Sequence, residues 1–262
     1  MKISVIGVGA MGGAIVEGLL KTDLVKPSDI TVADPNTQAT NHFKSAGTQV
    51  AADNPSAVAD ADLIFVVVKP WLVESVLTNI RPFIDHTRQK IVVVAAGVKS
   101  ADILQWLDKA DDTQPRLLLA IPNTAIAVKE SMTFLVAVSA TEEDTRQVSQ
   151  IFEQLGQCIL TEERLLAAGT TLASCGIAYA MRYIRAAVEG GVEIGFKAAD
   201  AEKIVNQTVK GAVCLLQATG EHPEAAIDKV TTPGGVTIKG LNEMEHAGFT
   251  SAVIRGIKAG LK

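Results

Sequence analysis

Aromatic residues are scarce in this 262-residue chain, at 4 % of positions, although hydrophobic residues make up 48 %. Small aliphatic side chains must therefore build most of the core. The three cysteines, Cys158, Cys175 and Cys214, lie far apart and show no CxxC or Cys/His spacing. That pattern indicates a reducing compartment and predicts no metal site.

The chain also lacks a basic block, and its formal net charge is −5. This charge argues against binding to nucleic acid or to an anionic membrane surface. No uninterrupted apolar run approaches the roughly 18 residues that a membrane-spanning helix needs. The N-terminus shows no basic-then-apolar signal pattern and leads directly into a strand. We therefore expect a cytoplasmic protein with no membrane attachment.

Glycines near the N-terminus form a motif that indicates a binding site. A short β-rich run, Lys2–Ile6, is followed by a GxGxxG motif at Gly7, Gly9 and Gly12 and then by a helical pattern. Strand, glycine loop and helix in this order are typical of a dinucleotide-binding site. Gly7 would form the tight turn, Gly9 would admit the pyrophosphate to the backbone, and Gly12 would let the helix pack on the strand. The predicted cofactor site also includes the intervening residues Val8, Ala10 and Met11.

A second strand, Asp29–Ala33, ends at Asp34. An acid at this position could bond a ribose hydroxyl of the adenosine, which favours NAD. The alternative is that Asp34 merely caps the turn before Pro35 and Asn36. Asn36 or Thr37 could instead receive the 2′-phosphate of NADP, so the sequence leaves the choice between the two cofactors open.

Strand-like and helical segments alternate up to about residue 161. Continuous apolar runs such as Asp62–Val68 and Lys90–Gly97 indicate buried parallel strands, and we expect about eight strands. The pattern predicts an α/β fold with an N-terminal doubly wound sheet of the Rossmann type. Such sheets bind ligands where their strands end, which makes Lys69 and Asn123 candidate contacts. The alternative for each is a loop residue that only satisfies the local backbone.

From residue 162 onward the sequence contains no convincing strand, which predicts a dinucleotide-binding domain over 1–161 and an all-helical domain over 162–262. The segment Leu165–Ile194 has a helical pattern that is broken around Ser174–Gly176. Small residues cover much of the long helix after this break, Ile177–Ile194, which could pack against a partner chain or within its own domain. In the first domain, Ser100 is the expected N-cap of the helix Ser100–Leu107.

Near the C-terminus, Thr231–Ile238 contains a Thr-Pro-Gly-Gly turn before a helical pattern. Thr232 suits an N-cap, Pro233 suits the first helical position, and the two glycines let a ligand approach the backbone. The free N–H groups of such a helix start could hold a carboxylate, although an ordinary helix start is the alternative. No other catalytic grouping is evident, so the residues predict a reductase or dehydrogenase of a small carboxylate.

Several motifs together resemble the pyrroline-5-carboxylate reductase family. They cover essentially the whole chain in order, and the segment around Thr232 is the most specific of them: Val5–Gly12, Val67–Pro70, Ala95–Val98, Ile121–Thr124, Gly220–Pro223, Val230–Ile238 and Glu243–Phe249. The resemblance implies a Rossmann domain followed by a helical dimerisation domain. It also implies reduction of 1-pyrroline-5-carboxylate to L-proline with NADPH or NADH. Members commonly form dimers or decamers built from five dimers.

The resemblance also assigns site residues. The N–H groups of Gly234, Gly235, Val236 and Thr237 would hold the substrate carboxylate beside Thr232, and the hydroxyl of Thr237 would polarise the imine nitrogen. Cofactor contacts are implied at these residues of the cleft: Val68, Lys69, Pro70, Ala96, Gly97 and Asn123. The resemblance slightly favours NADPH, which members of the family often prefer, in contrast to what Asp34 suggests.

The chain departs from the family in one wall of the substrate pocket. The family turn Ser-Gly-Ser-Gly-Pro-Ala-Tyr is replaced by Ala173–Tyr179, in which Ile177 takes the place of the proline. Arg185 replaces an acidic residue. These changes leave open a cofactor-binding orphan or regulatory protein that has lost catalysis. A β-hydroxyacid dehydrogenase is a further alternative, but it needs a lysine that is absent between Glu162 and Gly195.

Overall fold

The computed structural model describes residues 1–109 and 113–261. Within them, eight strands form one sheet. The strands are β1 (Ile3–Ile6), β2 (Ile30–Ala33), β3 (Gln49–Val50), β4 (Leu63–Val66), β5 (Lys90–Val93), β6 (Arg116–Ile121), β7 (Ser131–Ala137) and β8 (Gly156–Leu160).

The strand order is β3-β2-β1-β4-β5-β6-β7-β8. Neighbouring strands from β3 through β6 are parallel, and β1 pairs with both β2 and β4, so the chain order reverses beside β1. Strand β7 runs antiparallel to β6, because the 3₁₀ turn Thr124–Val128 between them is too short for a crossover. The predicted doubly wound Rossmann-type sheet is therefore confirmed.

Helices connect the strands of the sheet and then form the C-terminal part of the chain. They are α1 (Ala10–Leu19), α2 (Thr37–Ser45), α3 (Asn54–Val58), α4 (Val73–Ile80), α5 (Ser100–Leu107), α6 (Glu142–Glu153), α7 (Leu166–Gly169), α8 (Cys175–Glu193), α9 (Ala198–Thr219), α10 (Pro223–Lys229), α11 (Val236–His246) and α12 (Phe249–Ala259). None of the helices in the described ranges is long and apolar enough to cross a bilayer.

Each face of the sheet carries its own apolar layer. Alternate side chains of β4 point to opposite faces, so Phe65 joins one layer while Ile64 and Val66 join the other. In the first layer, the ring of Phe65 meets that of Phe152 from α6 edge to face, with 5.9 Å between centroids. Because both faces are covered, the central strands read as uninterrupted apolar runs in the sequence.

The chain divides into two compact units, Met1–Ser174 and Cys175–Lys262. The sequence placed the boundary between residues 161 and 162, which stays a prediction. Of the described residues in the second unit, Ala201 alone is fully buried. This unit therefore has almost no core of its own within a single chain.

Two local features differ from the sequence expectations. Ser100 is not the N-cap of α5, because Lys99 occupies that position without a side-chain cap. Instead, the carboxylate of Glu163 accepts hydrogen bonds from both the N–H and the hydroxyl of Ser100. The expected break near Ser174 is a single π-helical turn, Thr170–Ser174, between α7 and α8.

Candidate active site

The glycine loop between β1 and α1 has the geometry that a dinucleotide requires. Gly7 adopts a φ of +88° and donates its N–H to the carbonyl of Ala33. A Cβ on Gly12 would overlap the carbonyl oxygen of Gly7, so only glycine allows this packing of α1. A Cβ on Gly9 would meet no atom within 4 Å, which leaves its backbone open to a ligand. The residues present therefore fit a bound pyrophosphate.

Asp34 follows β2 and binds the glycine loop directly. One carboxylate oxygen accepts the N–H of Val8 at 2.8 Å, and the other accepts the N–H of Asn36 at 2.8 Å. Asp34 does cap the local turn, which was the alternative interpretation of the sequence. The same side chain also lines the cavity described below, so this capping does not exclude a contact with a ribose.

A cavity of about 670 Å³ lies along the carboxyl ends of the strands. Of the predicted cofactor residues, those that line it are Gly7, Gly9, Ala10, Met11, Asp34, Val68, Lys69, Pro70 and Ala96. Those outside the lining are Val8, Gly12, Asn36, Gly97 and Asn123. The switch in strand order beside β1 places the cavity where doubly wound sheets bind dinucleotides.

Asn123 lies just behind the cavity wall, after β6. Its side-chain oxygen accepts the N–H of Ala125 at 3.0 Å, and its own N–H donates to the hydroxyl of Ser131 at 3.1 Å. The residue is 4 % exposed. Its observed contacts are therefore the local backbone contacts that the sequence allowed as an alternative, and they fix the wall formed by Pro122 and Thr124.

Two further hydroxyl side chains of the cavity, those of Thr170 and Ser174, were not predicted from the sequence. Both belong to the π-helical turn and line the cavity. Single-turn π-bulges inside helices are frequent at functional sites. The sequence gives no periodic signal for such a turn, although the expected break near Ser174 marked its location.

In the second unit, the Thr-Pro-Gly-Gly segment forms a β-turn before α11 and is not the first turn of that helix. The N–H of Gly235 donates to the carbonyl of Thr232 at 3.0 Å, and Gly234 has a φ of +71°. This is the pattern of a type II turn, with proline at its second position and glycine at its third. The prediction that Thr232 is the N-cap of α11 is therefore wrong, because Gly235 occupies the N-cap position.

The start of α11 is suited to hold an anion. Gly235 provides no side-chain cap, so the first N–H groups of the helix, including those of Val236 and Thr237, have no partner from the cap residue. Val236 is 85 % exposed. The N–H of Gly235 is already used within the turn, which leaves the N–H groups that follow it as the stronger candidates for a carboxylate.

Two of the residues that depart from the family lie on α8. Ile177 is half-buried near the start of the helix. Arg185 is exposed and pairs with Glu189 one turn later, with its Nε 2.9 Å from the carboxylate. Such an exposed pair contributes about 0.5 kcal/mol or less, so Arg185 has a local surface partner and no evident catalytic contact.

The parallel sheet, the glycine loop and the cavity at the switch in strand order define a dinucleotide-binding oxidoreductase of the Rossmann type. Residues 2–97 match the family model described as NADP oxidoreductase coenzyme F420-dependent. Residues 163–262 match the model for pyrroline-5-carboxylate reductase dimerisation.

Curated relatives align with nearly the whole of this chain. Pyrroline-5-carboxylate reductase 1 of Dictyostelium discoideum is 39 % identical over 97 % of this chain, which spans only 48 % of that longer protein. Pyrroline-5-carboxylate reductase 2 of the same organism is 35 % identical, with 98 % of this chain and 89 % of the relative covered. A solved pyrroline-5-carboxylate reductase from Coxiella burnetii superposes with a TM-score of 0.87 at 27 % identity, covering 99 % and 96 % of the two chains.

The chain belongs to the pyrroline-5-carboxylate reductase family. It is therefore an oxidoreductase that uses a nicotinamide cofactor, and its helical unit is a dimerisation region. The alternatives of an orphan cofactor-binding protein and a β-hydroxyacid dehydrogenase are not favoured by these relatives.

Proposed function

We propose that this chain reduces 1-pyrroline-5-carboxylate to L-proline. The observation that carries the proposal is the uncapped start of α11 after the type II turn at Thr232–Gly235, in a chain of this family. A helix N-terminus with free N–H groups attracts a carboxylate through both hydrogen bonds and the helix dipole. The substrate is a small cyclic imine with one carboxylate, which matches that anion site.

We assign the roles of the residues from the glycine loop, the start of α11 and the family resemblance. Gly7, Gly9 and Gly12 hold the pyrophosphate of the cofactor, which supplies a hydride when bound. The N–H groups of Val236 and Thr237 hold the substrate carboxylate. The hydroxyl of Thr237 donates a hydrogen bond to the imine nitrogen and polarises the carbon–nitrogen double bond. The carbon accepts the hydride, and the nitrogen takes one proton from solvent to become the secondary amine.

The assay is oxidation of NADH and NADPH by the purified chain on addition of the imine acid. We expect Thr237→Val to lower kcat/KM at least about tenfold, whereas Thr237→Ser keeps the hydroxyl and most of the rate. Thr208→Val is the matched control, because the hydroxyl of Thr208 donates to the carbonyl of Ile204 within α9. Absence of imine-dependent oxidation with either cofactor would refute the proposal.

We further propose that the chain prefers NADH to NADPH. Asp34 lines the cavity, and a carboxylate beside the 2′ position repels a phosphate but accepts a ribose hydroxyl. Asp34→Asn keeps an oxygen for the N–H of Val8 but removes the charge. We expect it to raise the ratio of kcat/KM for NADPH to that for NADH by about tenfold or more.

The control for this change is Asp85→Asn, because Asp85 also accepts a backbone N–H, that of Thr87, but lies outside the cavity lining. Its cofactor ratio should equal that of the unmodified chain. A chain that already prefers NADPH, or an unchanged ratio in Asp34→Asn, would show that Asp34 does not select the cofactor.

We also propose that a dimer formed through α8–α12 is the smallest stable unit. The large exposed apolar side chains of this unit, such as Tyr179, Ile194 and Leu215, support it. Light scattering across a concentration series distinguishes this dimer from a decamer of five dimers. A stable monomer at micromolar concentration would contradict the proposal.

A further inference from the structure

The hydroxyl of Ser174 has a fixed direction at the edge of the cavity. Its Oγ donates to the carbonyl oxygen of Pro122 at 2.7 Å, immediately after β6. A serine hydroxyl has one hydrogen and two lone pairs. Because that hydrogen is committed to Pro122, the side of the hydroxyl that faces the cavity can only accept hydrogen bonds.

The π-helical turn holds this hydroxyl in place. At its N-terminal end, a Cβ added to Gly169 would lie 2.8 Å from the ring of Phe134, so the absent side chain lets the turn rest directly on β7. Thr170, the other hydroxyl residue of this turn that lines the cavity, donates its hydrogen to the carbonyl of Leu166 at 2.7 Å. The hydroxyls of Thr170 and Ser174 are thus committed donors, and each can offer a ligand only its lone pairs.

The position of this wall along the cavity indicates which part of a dinucleotide it would meet. The glycine loop and Asp34 follow β1 and β2 and serve the pyrophosphate and the adenosine. Pro122 and Ser174 lie at the other end, beyond the ends of β5 and β6. In doubly wound sheets a dinucleotide crosses the switch point, so this end receives the nicotinamide nucleotide.

We propose that the hydroxyl of Ser174 accepts a hydrogen bond from the carboxamide N–H₂ of the nicotinamide. The carboxamide is the part of the nicotinamide that donates hydrogen bonds, and it matches a hydroxyl whose own hydrogen is already committed to Pro122. This inference rests on the proposed function for the presence of the cofactor. Ser174 stands where the family turn has glycine, so the contact is a property of this chain's own sequence.

The test measures equilibrium binding by calorimetry and does not depend on turnover. The probes are NAD⁺ and 3-acetylpyridine adenine dinucleotide, in which a methyl group replaces the N–H₂ of the carboxamide. Ser174→Ala should weaken NAD⁺ binding about fivefold, the usual effect of one lost hydrogen bond. The same change should leave the affinity for the acetylpyridine analogue unaltered, because that analogue has no N–H to donate.

Ser139→Ala is the matched control. Ser139 also donates its hydroxyl to a proline carbonyl, that of Pro115, but lies outside the cavity lining. It should bind both dinucleotides as the unmodified chain does. Ser174→Thr keeps the hydroxyl and should retain the selectivity for NAD⁺, and Ser174→Gly removes the same hydroxyl should the alanine variant fold poorly.

Equal weakening of both probes in Ser174→Ala would overturn the inference, because the hydroxyl would then contact a part that the two dinucleotides share. Unchanged NAD⁺ affinity in both Ser174→Ala and Ser174→Gly would also overturn it while leaving the proposed function intact. If the unmodified chain binds neither dinucleotide, the proposed function fails as well. The two failures are therefore distinguishable.

Discussion

Replacing Gly9 by alanine should abolish most of the cofactor affinity and leave the fold intact. Gly9 precedes α1 with a φ of −67°, which alanine adopts freely, and its new Cβ would meet no protein atom within 4 Å. Loss of the favourable glycine at the N-cap lowers the stability by about 0.5 kcal/mol. Alanine also reduces the conformational entropy of the unfolded chain, which raises the stability by about the same amount. We therefore expect Tm to change by no more than about 2 °C.

The expected effect of Gly9→Ala on cofactor binding is larger than its effect on stability, and it can only weaken binding. The Cβ of alanine would fill the open space through which a pyrophosphate reaches the backbone N–H groups of the loop. One charge-assisted hydrogen bond is worth about 2 kcal/mol, which corresponds to roughly a 30-fold increase in Kd. Calorimetric titration with NAD⁺, together with a thermal melt of the same sample, measures both quantities.

Two further glycines in α1 serve as controls with opposite expectations. Gly12→Ala should lose about 3 kcal/mol of stability, since its Cβ would overlap the carbonyl oxygen of Gly7. Gly13→Ala should bind NAD⁺ normally, because its Cβ would be 3.4 Å from the carbonyl oxygen of Val8, an ordinary contact. If Gly9→Ala binds within about threefold of the unmodified chain, the pyrophosphate does not approach the backbone at Gly9, and the reasoning is refuted.

Three further changes, at buried or half-buried polar groups, should alter the stability of the fold. Ser4 is fully buried in β1 and its hydroxyl has no hydrogen-bond partner among the described residues, so Ser4→Ala should raise the free energy of unfolding by about 1 kcal/mol in a urea titration; a loss would contradict this. Burial alone would raise the pKa of Asp144, but hydrogen bonds from Thr141 and Arg116 outweigh it and hold that pKa below its usual value. Asp144→Asn should therefore cost about 2 kcal/mol at pH 7, and its deficit against the unmodified chain should shrink only as the pH falls below about 4; a deficit that is independent of pH would exclude the ionised carboxylate as its cause. Glu163→Ala removes the two hydrogen bonds to Ser100 and should cost about 1 kcal/mol at 25 °C, and an unchanged denaturation midpoint would show that α5 needs no cap.

Most of the sheet could be predicted because its central strands are buried on both faces. The run from Leu63 to Val66 is apolar throughout for that reason, and so is the run from Lys90 to Val93 apart from its first residue. Strand β3 was not predicted, because it is only two residues long and both of them, Gln49 and Val50, are exposed at the edge of the sheet. Short edge strands carry little hydrophobic pattern that a sequence could reveal.

In the candidate site, features with local causes could also be predicted from the sequence, whereas features that depend on distant residues could not. The glycine loop was predictable, since its conformation depends on residues adjacent in sequence. The cap of α5 was not, because Glu163 reaches Ser100 from 63 positions away. Thr232 was assigned to a helix start because Ser, Thr and Pro mark both helix starts and turns, and only the φ of Gly234 distinguishes the two. Ser174 escaped notice because a π-helical turn leaves no periodic signal.

The nearly absent core of the helical unit has a consequence for folding. A polypeptide segment in which Ala201 alone is fully buried among the described residues gains too little from desolvation to offset its loss of conformational entropy. Its folding must then be completed in a bimolecular step, when the subunits associate. The midpoint of denaturation should rise with protein concentration, because each tenfold increase adds about 1.4 kcal/mol to the apparent stability per mole of dimer. Dilution would thus act on this chain as a denaturant.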